Sequence, residues 1–171
     1  MTFKIECAAG WLLALPLLTG CMPGLAADLA PEPRYASLAA GGSTVTLTQQ
    51  GSDHRALLDQ SGAVQIIGLG QQGYGNQAWI TQSGVQNVIA AQQAGLGNWL
   101  TVMQGGYNNR LDSLQQGQGN QAIVEQGGAY NQALLNQYGN FNQANINQSG
   151  LGGMVTVNQF GSNMLASVLQ R

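Results

Sequence analysis

Charge is nearly missing from this chain. Lys, Arg, Asp and Glu together make 7% of 171 residues, against about 25% in an ordinary soluble domain. Five basic residues and a net charge of −2 leave no electrostatic footprint for nucleic acid. Histidine is reduced to His54, and the two cysteines, Cys7 and Cys21, both lie near the N-terminus. That set cannot build a zinc site, and nothing in it calls for a cofactor. No apolar run is long enough for a membrane helix, which needs about 20 residues. Low charge is nevertheless paired with 44% apolar residues, a balance unlike that of a disordered tail. What is abundant is glycine and side-chain amide: 25 Gly, 23 Gln and 14 Asn, with every amide after residue 48.

The N-terminal segment reads as an address. Lys4 supplies a thin positive region, Trp11 to Leu18 form a short apolar run, and Gly24-Leu25-Ala26 fits cleavage before Ala27. Residues 1–26 are therefore expected to be a secretory signal, and export is the expected fate. Leu18-Thr19-Gly20-Cys21 also resembles a lipobox, the alternative exit in which Cys21 would be acylated. Residues 27–42, with Pro31, Pro33 and Gly41-Gly42, read as an extended leader.

From residue 43 to residue 171 the chain is one repeat. Gln stands at 49, 60, 71, 82, 93, 104, 115, 126, 137, 148, 159 and 170, twelve hits at a spacing of 11. These are Gln49, Gln60, Gln71, Gln82, Gln93, Gln104, Gln115, Gln126, Gln137, Gln148, Gln159 and Gln170. Two residues after the first eleven come Gly51, Gly62, Gly73, Gly84, Gly95, Gly106, Gly117, Gly128, Gly139, Gly150 and Gly161. Six residues before the Gln lie Asn76, Asn87, Asn98, Asn109, Asn120, Asn131 and Asn142. A fixed period of this kind means stacked structural units.

The phase inside each unit identifies the element. In Asn76-Gln77-Ala78-Trp79-Ile80-Thr81-Gln82 the residues Asn76, Ala78, Ile80 and Gln82 share one face of a strand. The position four before the Gln is apolar in all twelve units, and the position two before it is a bulky aliphatic in ten. The intervening positions mix Thr46, Leu57, Trp79 and Asp112, as a solvent face does. Strict alternation predicts strands and excludes amphipathic helices. The Gly after each Gln supplies the positive φ of a tight turn. The predicted fold is all-β: a β-solenoid of about six coils of 22 residues, strand-turn-strand, with two facing parallel sheets. Gln49, Gln71 and their successors would form one column, and Gln60, Gln82 and theirs the other. A buried amide is costly alone, but stacked at strand spacing it can bond its own kind.

The same positions test rival readings. An ice-binding face needs a flat column of Thr, whereas the outward positions include Trp79, Asp112 and Asn145. A Ca²⁺-binding repeat needs carboxylates in every turn, and the turns hold only Asp53. His54 stands where later units carry Asn and has no nucleophile in register, so it is expected to replace a ladder amide. Neither an enzyme nor a small-molecule substrate is expected. Outward Trp79, Trp99, Tyr130 and Phe141 are candidates for lateral contacts or a ligand face. No Pro or capping helix follows the last strand pattern, so strand edges are expected to recruit other chains.

The arrangement Asn-x5-Gln-x-Gly-x2-Asn-x5-Gln, at Asn76 to Gln93 and again at Asn120 to Gln137, resembles the curlin repeat of bacterial curli fibres. The familiar unit opens with Ser, as only Ser43 does here. The resemblance implies export across both bacterial membranes and polymerisation into a functional amyloid at the cell surface, supporting adhesion and biofilm matrix. Implied partners are the chain itself, another curlin subunit stacked end to end, and outer-membrane secretion and assembly proteins. The ending Gln170-Arg171 is similar to that of the minor, nucleating subunit.

Overall fold

The computed structural model describes residues 2–5 and 42–171. The proposed signal cleavage site, Cys21 and the leader up to residue 41 lie outside the described residues. Every regular element among them is a strand. In chain order these are β1 (Thr2–Ile5), β2 (Thr44–Ser52), β3 (Arg55–Ala63), β4 (Ile66–Tyr74), β5 (Gln77–Val85), β6 (Val88–Leu96) and β7 (Trp99–Tyr107). There follow β8 (Arg110–Gln118), β9 (Gln121–Gln126), β10 (Gln132–Asn140), β11 (Gln143–Gln148), β12 (Met154–Ser162) and β13 (Leu165–Gln170).

Even-numbered strands form one parallel sheet, in the order β2-β4-β6-β8-β10-β12. Odd-numbered strands β3 to β13 form the other, also parallel and in sequence order. Each coil contributes one strand to each sheet, so the chain winds six times as a β-solenoid. The register is 22 residues throughout: Gln49 pairs with Gln71, Gln71 with Gln93, and Gln60 with Gln82. At a strand spacing of about 4.8 Å the stack is roughly 29 Å tall. Below, the N-terminal end of this stack is called its lower face and the C-terminal end its upper face. β1 lies antiparallel along β3 at the lower face, with Thr2 opposite Asp59 and Ile5 opposite Ala56.

The inward positions are those the alternation singles out. Ile67, Ile80, Ile89, Leu100, Leu111, Leu135 and Ile146 are completely enclosed between the two sheets. Burying such a side chain contributes about 1.5–3 kcal/mol. At the ends, Val45, Leu47, Ala166 and Val168 are only partly covered. The core is therefore continuous through the middle coils and open at both faces.

The turns differ from the sequence expectation in two respects. The first is that nine of the eleven glycines expected in turns are the next-to-last residue of a strand, with only Gly128 and Gly150 outside one. The Gly two residues after each Gln does adopt positive φ, from +87 at Gly128 to +138 at Gly161. A second left-handed residue follows two positions later in every turn. It is glycine at Gly75, Gly97, Gly119 and Gly152, but Asp53, Val64, Gln86, Asn108, Tyr130, Phe141 and Asn163 elsewhere. The first position demands glycine for a further reason. A Cβ on Gly95 would collide with the backbone carbonyl of Gly117 in the next coil, and the same holds at Gly51, Gly73, Gly84, Gly106 and Gly117. The glycines stack in column, carbonyl over Cα, and no side chain fits between them.

Candidate functional site

The polar chemistry of the molecule is concentrated in two kinds of buried amide column. In the first, each Gln Nε2 donates to the Oε1 of the Gln one coil above. All ten steps are present, five from Gln49 to Gln159 and five from Gln60 to Gln170, at 2.7 to 3.0 Å. The second N–H of the interior amides crosses to the opposite sheet. Gln93 bonds the Gln77 carbonyl at 2.9 Å, Gln115 that of Trp99 at 2.9 Å, and Gln137 that of Gln121 at 3.0 Å. Donors and acceptors are matched, so these enclosed amides escape the cost of unpaired burial. The ladder also has a direction: N–H groups point up and carbonyls point down.

The Asn side chains do something else. Their Oδ1 atoms accept the backbone N–H of the residue 22 positions later, as from Asn98 to Asn76 and from Asn131 to Asn109, both at 3.0 Å. Their Nδ2 groups donate to two carbonyls, one in the turn four residues back and one in the glycine column of the coil above. Asn109, for example, bonds Gly105 O at 2.8 Å and Gly128 O at 3.0 Å. Within the clamp positions, direct Asn–Asn amide bonds occur along Asn76, Asn98 and Asn120; a further one, Asn136 to Asn158 at 2.8 Å, lies on the exposed face. The expected Asn ladder is thus a set of corner clamps that satisfy backbone groups where the chain turns between sheets. An inward carboxamide of this length reaches the backbone of the corner, supplying an acceptor to the N–H and a second donor to carbonyls such as Gly128 O, which also accepts the Tyr107 N–H.

Both kinds of column were visible as periodic residues, but only the Gln column runs intact from end to end. The clamp positions change at the ends. In the lowest coil they hold Ser43 and His54, then Gln65 at the start of the next; in the uppermost they hold Gly153 and Met164. Ser43 Oγ still accepts the Gln65 N–H at 3.2 Å. His54 takes the place of a clamp amide as the sequence suggests: Nδ1 accepts the Asn76 N–H at 3.3 Å and Nε2 faces Gln50 O at 3.0 Å. That pattern requires the neutral ring protonated on Nε2. Gln65 is one methylene too long, and its enclosed Oε1 finds no partner. The Gly153 and Met164 N–H groups donate to Asn131 Oδ1 and Asn142 Oδ1 below them, but neither residue carries a side-chain oxygen to offer upward.

The sheet exteriors carry weaker features. Trp79 and Trp99 meet edge to face at 4.9 Å, and Tyr138 stacks on Phe160 at 5.2 Å. Arg110 pairs with Asp112 at 2.7 Å on the exposed face, which raises the Arg110 pKa above its ordinary value. Tyr74 is likewise raised, by its hydrogen bond to Asp53 and that carboxylate's charge. Arg110 meets the buried columns only through its backbone, its carbonyl accepting from Gln126 Nε2 at 3.0 Å. Among the described residues no group of three or more His, Cys, Asp or Glu converges as metal ligands would.

At both ends the ladders stop at strands with free sides. β12 and β13 have no strand above them, and β2 has none below it, among the described residues. No family model, curated protein or solved structure matches the chain. The reading of these ends therefore rests on their chemistry: parallel strand edges, and two Gln columns whose polarity points outward at the top.

Proposed function

We propose that this chain is an exported structural subunit of a curli-type amyloid fibre, stacking end to end with its own kind or with a second curlin. The observation that carries this reading is the directed Gln ladder. Gln159 and Gln170 end it with N–H groups facing upward, and Gln49 begins it with an Oε1 facing downward. A copy placed head to tail continues the ladder; head to head would oppose donor to donor. Open strand edges of this kind recruit further strands. On the lower face β1 would have to leave β3 first, which removal of residues 1–26 on export would accomplish. Surface adhesion and biofilm matrix are the functions that fit such a fibre, and we take this chain as the minor subunit that starts growth of a major one. The test is deletion in the native host with any major subunit intact. Cells should lose their fibres while releasing unpolymerised major subunit. Normal surface fibres would refute the nucleating role. The exported chain should itself form fibres diffracting near 4.8 and 10 Å, and a monomer stable on prolonged incubation would refute the assembly reading altogether.

A shallow trough of about 250 Å³ favours a second reading, a solenoid that binds a neutral surface ligand. It is lined by Trp99, Thr101, Gln121, Ile123, Gln143 and Asn145.

A further inference from the structure

The two faces of the stack are not equally able to bond another coil, and the difference lies in the clamp positions. Across the middle coils every clamp oxygen holds the backbone N–H one coil above: Asn87 holds Asn109 at 2.9 Å, Asn98 holds Asn120 at 3.0 Å, Asn109 holds Asn131 at 3.0 Å and Asn120 holds Asn142 at 3.1 Å. The uppermost coil repeats this only as donor. Gly153 N–H reaches Asn131 at 2.8 Å and Met164 N–H reaches Asn142 at 3.0 Å. Glycine has no side chain and methionine offers only a weak thioether acceptor. A coil laid on this face would gain the strand ladder and both Gln steps but find no clamp oxygen.

Suppose that coil is the lowest coil of a second copy. By the 22-residue register, Ser43 and His54 would take the positions above Gly153 and Met164. Their N–H groups would then be enclosed without the acceptor that every N–H from Asn98 upward possesses. The Gly51 carbonyl would also lose the Nδ2 donor that Gly95 and Gly161 receive from Asn76 and Asn142. Leaving such groups unpaired costs about 1–3 kcal/mol each. A self-junction is therefore weaker than any contact inside the stack. The lower face has no such defect of its own. Ser43 and His54 present ordinary backbone N–H groups downward, and Gln49 presents an unoccupied Oε1.

We propose that the lower face of this chain is built for a different partner: a second solenoid of the same 22-residue coil whose last coil carries Asn at both clamp positions. This rests on the end-to-end stacking reading and adds partner choice to it. The chain joins such a partner more tightly than it joins itself, so self-stacking ends early while mixed stacking is favoured. The missing element is local and can be restored. Met164 and Gly153 both lie at backbone angles outside the left-handed region. A Cβ on Gly153 would come within 2.8 to 3.0 Å of the amide ends of Gln148, Gln170 and Asn131, so the last Gln rung must shift to admit it, whereas Met164 already carries a side chain.

The experiment compares the exported forms of the wild-type chain and the double variant Gly153→Asn, Met164→Asn, reading the soluble concentration left at the polymerisation plateau. The double variant should lower it by about tenfold, the equivalent of one net hydrogen bond per junction. Met164→Leu, which alters packing without adding an acceptor, should leave it at the wild-type level. Equal plateaus for wild type and double variant, or a drop of the same size for Met164→Leu, would overturn the proposal while leaving stacking intact. If none of the three forms polymerises, the stacking reading falls, and partner choice falls with it.

Discussion

The Gln column and the Asn column are built from nearly the same functional group, yet they solve different problems. Gln amides bond one another along the stack, so each rung resembles the next and the column has no natural end. Asn amides bond the backbone of their own turn and of the coil above, so each clamp ties a corner that strands alone leave unsatisfied. The first column is unbroken from Gln49 to Gln159 and from Gln60 to Gln170; the second is replaced at both ends of the molecule. One extra methylene separates a group that propagates from a group that fastens. The lesson is that repeat position alone does not disclose which role an amide plays, because the partner lies one coil away.

The sharpest way to break this comparison is to remove one member of each column. Asn109→Ala strips acceptor from the Asn131 N–H and donor from the Gly105 and Gly128 carbonyls, in a site that is fully enclosed. The buried Asn131 N–H loses its acceptor, the part-buried Gly105 carbonyl loses a donor, and the Gly128 carbonyl keeps only the Tyr107 N–H, so the soluble chain should lose about 3 kcal/mol. Gln104→Leu leaves the Gln126 Oε1 and the Gln82 Nε2 short of one partner each, while keeping similar volume. That change should cost about 2–3 kcal/mol. Gln121→Leu, on the exposed side of β9, should stay within about 0.5 kcal/mol. Urea midpoints measure all three. If Gln121 proves as costly as Gln104, the inward and outward faces have been confused; if Gln104 exceeds Asn109, the clamp role is wrong.

A smaller effect sharpens the same contrast from the other side. Gln65 is a Gln in a clamp position, and its length shows. Its Nε2 manages both clamp carbonyls, Ser61 at 2.7 Å and Gly84 at 2.6 Å, but its Oε1 has no partner. Gln65→Asn should draw that oxygen back beneath the Asn87 N–H and complete the rung. Pairing two enclosed groups while losing one methylene should raise stability by about 1–2 kcal/mol. A lower midpoint would mean that the extra methylene fills space the shorter clamp leaves empty.

Much of this architecture was legible because the period is exact and the strand alternation is read directly from residue order. Twelve Gln at a spacing of 11 fix the coil, and Val45, Ile67, Ile89 and their counterparts fix the inward face. The positive φ of the glycines was legible, but most of them close a strand and do not stand in the turn, and their stacking against the carbonyls of the next coil depends on an approach that only the assembled stack creates. The Asn clamps were hidden for the same reason, since Asn109 and Gly128 become neighbours only once the coils are superposed. The second left-handed position did leave a trace. Gly75, Gly97, Gly119 and Gly152, with Asp53, Asn108 and Asn163, fall on the same 11-residue grid. These are the residue types that tolerate that conformation. β1 left none: Thr2 to Ile5 is too short to distinguish a strand from the start of a signal segment.

That second turn position also yields the smallest and cleanest prediction. Val64 sits there at φ +54, with a β-branched side chain in a region such residues avoid. Neighbouring turns place Gly75 at +66 and Gly97 at +63, where a Cβ would meet nothing within 4 Å. The strain at Val64 is therefore backbone strain, not crowding. It costs about 1–2 kcal/mol, and because Val64 is 46% exposed its side chain recovers little by burial. Val64→Gly removes the strain but adds unfolded-state freedom worth about 0.5–1 kcal/mol. Val64→Asn removes part of the strain without that entropic cost, through a side chain that tolerates the left-handed region. Both should raise the urea midpoint, by no more than about 1 kcal/mol in stability, with Asn at least equal to Gly. If both variants are less stable than wild type, the Val64 side chain makes a contact worth more than its strain, and the turn is held by packing and not by backbone preference.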